Sequence, residues 1–124
     1  MEVGIVGLPQ SGKTTVFNAL TRGTAIVSSY ASGGKPNVGV AKVSDSRLTA
    51  LAEFFKSERT VTSEVTYFDL PARPGSEDGA GISGESLTHL QRAAALVLTV
   101  RAFENSSVPL PPRGIDPLRD ARAL

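Results

Sequence analysis

An α/β fold, a mostly parallel sheet flanked by helices, is the architecture this chain predicts. Three observations carry it. The first is "GLPQSGKTT", Gly7 to Thr15, in which Gly7, Gly12, Lys13 and Thr14 fit the spacing G-x-x-x-x-G-K-[ST]. The second is its setting. The β-branched run Glu2-Val3-Gly4-Ile5-Val6 before it reads as a buried strand, and Thr15 to Leu20 after it, with Val16 and Leu20 four apart, reads as one face of a helix. The third is the alternation of apolar strand-like runs with helical patterns along the rest of the chain, which calls for right-handed crossovers within one sheet.

A strand, a glycine-containing turn and a helix N-terminus together make an anion site. The unpaired N–H groups of the first helical turn and the helix dipole both point at whatever sits there. The glycines allow the backbone to approach phosphate where a Cβ would obstruct it. The candidate phosphate cradle is Gly7, Leu8, Pro9, Gln10, Ser11, Gly12, Lys13, Thr14 and Thr15, which makes the predicted fold that of a P-loop NTPase. Lys13 would bring positive charge to the β- and γ-phosphates, and the Thr14 hydroxyl would ligate Mg²⁺. The bland alternative is a tight turn carrying a solvated lysine.

The remaining elements follow in order. Arg22 to Lys35 is rich in Gly and Ser and lacks an apolar period, which predicts a loop. Asn37 to Val43 alternates weakly and carries a lysine, as an edge strand does. Ser44 or Asp45 then caps a helix whose Leu48, Leu51, Ala52 and Phe55 form a stripe expected to face the core. Glu64 to Leu70 is the next strand. Pro71 to Glu85 holds four glycines and almost no apolar content, too long and polar for an ordinary connector. Ser83 is the candidate cap of a helix carrying Leu87, Leu90 and Ala94, and Ala94 to Val100 reads as a central buried strand. Pro109, Pro111 and Pro112 break the chain before a further helix starting at Asp116.

Ligands of such sheets bind at the carboxyl ends of the strands, so the phosphate loop and Asp69 can converge. Asp69, after an apolar strand, is placed to hold Mg²⁺ directly or through water; otherwise it caps a turn. Lys13 and Asp69 are the candidate catalytic residues, and Thr14 and Asp69 the candidate metal ligands.

Composition narrows the classes. The net charge of +1 provides no broad field for a polyanion, so no direct DNA binding is expected. The absence of cysteine excludes disulfides and thiolate metal sites, and the single His89 excludes multi-histidine centres. No apolar run approaches the ~20 residues of a membrane span. A soluble, cytoplasmic protein is expected.

The segments "GLPQSGKTTVFNALT", "KPNVGVAKVSDSRLTALAEFF", "EVTYFDLP", "VRAFENSSVP" and "DPLRDARAL" resemble the Obg-like ATPase family, the YchF-type branch of translation-factor-related GTPases. The similarity runs from Met1 to Leu124. It implies a Ras-like G domain that binds GTP or ATP with Mg²⁺ and hydrolyses it slowly, with links to ribosomes. Position by position, Gly7, Gly12, Lys13 and Thr14 match the family's phosphate loop, and Asp69 matches the magnesium aspartate before the second switch. There are departures. Gln10 and Ser11 stand where the family has asparagine and an aliphatic residue. The first-switch threonine position falls on Gly33, and the glycine of the second switch is Ala72. No glutamine follows that switch; Arg73 stands there instead, as a phosphate contact or a solvated loop residue. The Asn-x-x-Glu-type motif with which the family reads its base has no counterpart. Residues 1–124 are therefore expected to be the N-terminal part of a longer G domain, with the strand Ala94 to Val100 left at an open edge, so that the chain self-associates, swaps elements or is only marginally stable.

Two functions remain in view. One is a Ras-like NTPase; the other is a nucleotide-controlled interaction module, with a ribosome or protein partner, in which binding orders Ser28 to Lys35 and Ala72 to Gly84 and turnover is incidental. A P-loop kinase would need an acceptor pocket and a lid arginine cluster, and "RAFENSSVPLPPR" supplies charges without that pattern.

Overall fold

The structure is a computed structural model describing residues 1–23, 36–70 and 84–124. The expectations for Gly33, Ala72, Arg73, Ser83 and most of the two long loops fall outside these residues. The described elements are β1 (Glu2–Gly7), α1 (Lys13–Thr21), β2 (Asn37–Lys42), α2 (Ser46–Phe54), β3 (Glu64–Asp69), α3 (Gly84–Arg92), β4 (Ala95–Thr99) and α4 (Pro117–Ala123).

The strands form one sheet in the order β2-β3-β1-β4. β1 runs parallel to both β3 and β4, while β2 is antiparallel to β3. This is the mostly parallel α/β sheet expected, with the phosphate-loop strand β1 between β3 and β4. Because β1 and β3 are parallel and adjacent, their carboxyl ends share one side of the sheet, and Ile5 lies in register with Asp69. The core on the α1 face is small and centres on Val3, Ile5, Phe17 and Val65. On the opposite face Phe68 stacks against the ring of His89 of α3, with centroids 4.9 Å apart.

Several packing expectations are corrected. In α1 the buried residues are Lys13 and Phe17 rather than Val16 and Leu20, because the helix turns the Phe17 side toward Gly39 of β2. Asp45 caps α2 by accepting from the Arg47 N–H, as one of the two readings had it, but no residue of α2 is buried. Leu51, Phe54 and Phe55 all stand exposed, so the stripe has the helical period without reaching the core. In α3 it is Leu90 that approaches the sheet, near Gly4, whereas Leu87 is exposed and Ala94 lies beyond the helix. β4 is not central. Among the described residues it pairs only with β1, and Leu96 and Leu98 are 51% and 54% exposed. α4 forms as expected, with Asp116 accepting from the Arg119 N–H and Pro117 in the first turn, where its missing N–H costs nothing.

Candidate functional site

The candidate site begins where β1 ends. Gly7 is the last residue of the strand, and a Cβ there would overlap the carbonyl oxygen of Thr99 on β4 and fall 2.7 Å from Ser11 Oγ. Only glycine fits. Gln10 and Gly12 both adopt left-handed backbone, at φ 62 and 96, and Gly12 serves as the N-cap of α1 without any side-chain cap. The first turn of α1 carries no acidic residue, so the positive end of its dipole is left for an outside anion. Ser11 lies beneath the loop. Its hydroxyl is buried with no partner among the described residues.

Lys13 is not the solvated cation of the bland alternative. It is 8% exposed, and its Nζ donates to the carbonyls of Gly7 at 3.0 Å and Leu8 at 3.1 Å. An ammonium has three protons, so these bonds leave one for a further acceptor. Burial pushes the Lys13 ammonium below its ordinary value, and the nearby Asp69 carboxylate opposes that shift without cancelling it.

At the end of β3, Asp69 is 5% exposed. The Thr14 hydroxyl donates to Asp69 Oδ2 at 2.7 Å, so the two candidate metal ligands meet directly. The same Oδ2 accepts from Asn37 Nδ2 at 3.0 Å. Sequence reading did not single out Asn37. Its place depends on the β2–β3 register, which sets Asn37 opposite Asp69, and no local spacing encodes that pairing. The hydroxyl and carboxylate oxygens are hard donors suited to Mg²⁺. Among the described residues there is no cluster of three or more His, Cys, Asp or Glu. Mg²⁺ needs none, since it keeps several waters and takes phosphate oxygens alongside one or two protein ligands.

A second side chain missed by sequence reading borders the loop. After β4, the buried Arg101 donates through its guanidinium to the carbonyls of Phe103 at 3.2 Å, Val108 at 3.2 Å and Pro109 at 2.7 Å. The Phe103 ring of this segment lies 3.9 Å from where a Cβ on Gly12 would stand. An arginine ending an apolar strand was the available signal.

Residues 2–120 match the family described as the 50S ribosome-binding GTPase. The chain belongs to this family. Curated relatives include the ribosome-binding ATPase YchF of Haemophilus influenzae, 38% identical over 119 residues, covering 94% of this chain and 33% of that protein. The ribosome-binding ATPase YchF of Bacillus subtilis is 32% identical over 126 residues, covering 100% of this chain and 34% of that one. Among solved structures, the Schizosaccharomyces pombe YchF GTPase superposes with a TM-score of 0.67 at 31% identity, over 98% of this chain and 33% of that one. The chain thus spans about a third of the length of these relatives. The YchF-type resemblance and the P-loop GTPase fold read from the sequence are both met. Among the described residues no helix is long and apolar enough to cross a membrane.

Proposed function

We propose that this chain binds a purine nucleoside triphosphate, GTP or ATP, with Mg²⁺, and supplies the phosphate-binding part of a slow NTPase of YchF type. The observation that carries this reading is the convergence of Lys13, Thr14 and Asp69 at the carboxyl ends of β1 and β3, beside a loop closed by Gly7 and Gly12.

In this reading the N–H groups of Leu8, Gln10, Ser11, Gly12, Lys13, Thr14 and Thr15 surround the phosphates, with Pro9 shaping the turn. Lys13, already fixed by two carbonyls, directs its remaining proton to the β- and γ-phosphates. Thr14 and Asp69 hold Mg²⁺, and the chemistry that ion supplies when bound is neutralisation of charge on the phosphate oxygens. The Thr14 hydroxyl donates its hydrogen bond to Asp69, which leaves its lone pairs for the cation. Lys13 and the loop amides stabilise the charge that develops in transfer.

The relatives' description as ribosome-binding supports a cytoplasmic protein that acts with the ribosome. It also supports a second reading, in which nucleotide occupancy controls partner binding and turnover is incidental. Single-turnover hydrolysis, set beside partner binding in a non-hydrolysable analogue, separates the two.

The direct test is Lys13→Ala. Charge-assisted bonds to phosphate contribute roughly 1.5–3 kcal/mol each, so triphosphate affinity is expected to fall by about 10- to 150-fold. Unchanged affinity in a folded variant would remove the nucleotide reading.

A further inference from the structure

We infer that Asn37 is a positioning residue for the cation site, holding Asp69 and, through Asp69, the Thr14 hydroxyl. The inference rests on the Mg²⁺–nucleotide reading above and extends it to a second donor on the same carboxylate oxygen. Three atoms form a continuous path. Asn37 Nδ2 donates to Asp69 Oδ2 at 3.0 Å, and Thr14 Oγ1 donates to the same oxygen at 2.7 Å. Asp69 is buried while Asn37, which donates to it, is exposed.

The chemistry of the amide suits this place. A carboxylate ending a strand can rotate about its last torsion unless something fixes it. A lysine opposite would fix it but neutralise the charge a cation needs, and an aspartate would repel it. A neutral N–H donor orients Oδ2 and leaves the negative charge intact. Groups one step beyond a ligand hold its orientation, and their loss typically costs about 10–100-fold in metal affinity. Asn37 is also the first residue of β2, opposite Asp69 in the antiparallel pair with β3. The bond therefore pins the start of an edge strand to the cation site, and cation binding and the anchoring of β2 reinforce each other.

The test is calorimetric titration of the purified protein with ADP and with GDP, each in excess Mg²⁺ and in EDTA. The readout is the ratio of the two affinities. Asn37→Ala and the near-isosteric Asn37→Leu remove the donor, and Asn37→Gln keeps an amide. The Mg²⁺-dependent gain is expected to fall by about tenfold in the Ala and Leu variants, with affinity in EDTA unchanged. The Gln variant should recover most of the gain. Circular dichroism confirms folding, and the Leu variant carries the test if Ala does not fold. An unchanged gain in a folded donorless variant overturns the inference, as does an equal loss with and without Mg²⁺, which marks a merely structural role. Failure of the unaltered protein to bind either nucleotide would instead overturn the nucleotide reading, and this inference with it.

Discussion

Lys13 sits where two opposing effects meet. Desolvation lowers its pKa from the ordinary 10.5, and the pull of Asp69 only partly restores it. In the ligand-free fold the charged form is disfavoured, so the burial penalty is fully present below the lowered folded value and relieved as pH rises through it toward 10.5. Phosphate binding needs the ammonium, and a bound phosphate raises the pKa again. Nucleotide affinity is therefore expected to decline with rising pH in the range below 10.5, earlier than for a solvated lysine, while Lys13→Ala shows no such decline. A titration series across alkaline pH checks this; coincident profiles for the two proteins would contradict it. The spacing of Gly7, Gly12, Lys13 and Thr14 made the phosphate loop legible because close backbone approach and left-handed geometry restrict the residues that can stand there. The burial of Lys13 and the role of Asn37 were not legible, since both depend on what the fold brings alongside. Gln10 holds left-handed backbone at φ 62, a conformation uncommon in residues other than glycine and asparagine.

Elements were read correctly in kind and order, and misread in the faces they bury. Periodicity reports that a helix is amphipathic, but neighbours decide which side packs. α1 uses Phe17 because Gly39 leaves room on β2, and α2 leaves Leu51 and Phe55 of its apolar stripe exposed. That contact gives a direct prediction. A Cβ at Gly39 would lie 2.7 Å from Thr21 Cγ2 and 2.9 Å from Phe17 Cζ. Gly39→Ala is expected to destabilise the protein by about 1–3 kcal/mol through overpacking, measured by urea unfolding. Unchanged stability would mean that β2 is not pressed against α1.

In the whole molecule, the described sheet ends on β4, whose Ala95, Leu96 and Leu98 carry no charge to discourage pairing with another chain. The protein is expected to self-associate as concentration rises. Sedimentation at several concentrations tests this, and a monomer throughout, with Ala95 to Thr99 well protected from hydrogen exchange, would contradict it. The reading of this strand as buried came from its continuous apolar run, which records a strand suited to burial and not the number of its neighbours. The proposed function turns on the phosphate loop taking a purine nucleotide. Calorimetric titration of this chain with ATP and GTP, with and without Mg²⁺, tests that most directly. Both nucleotides are expected to bind, more tightly with Mg²⁺. The sequence holds no Asn-x-x-Glu base-reading motif, so the two should differ by less than about a hundredfold, or ~2.7 kcal/mol. Absence of binding by either nucleotide, or binding indifferent to Mg²⁺, would contradict it.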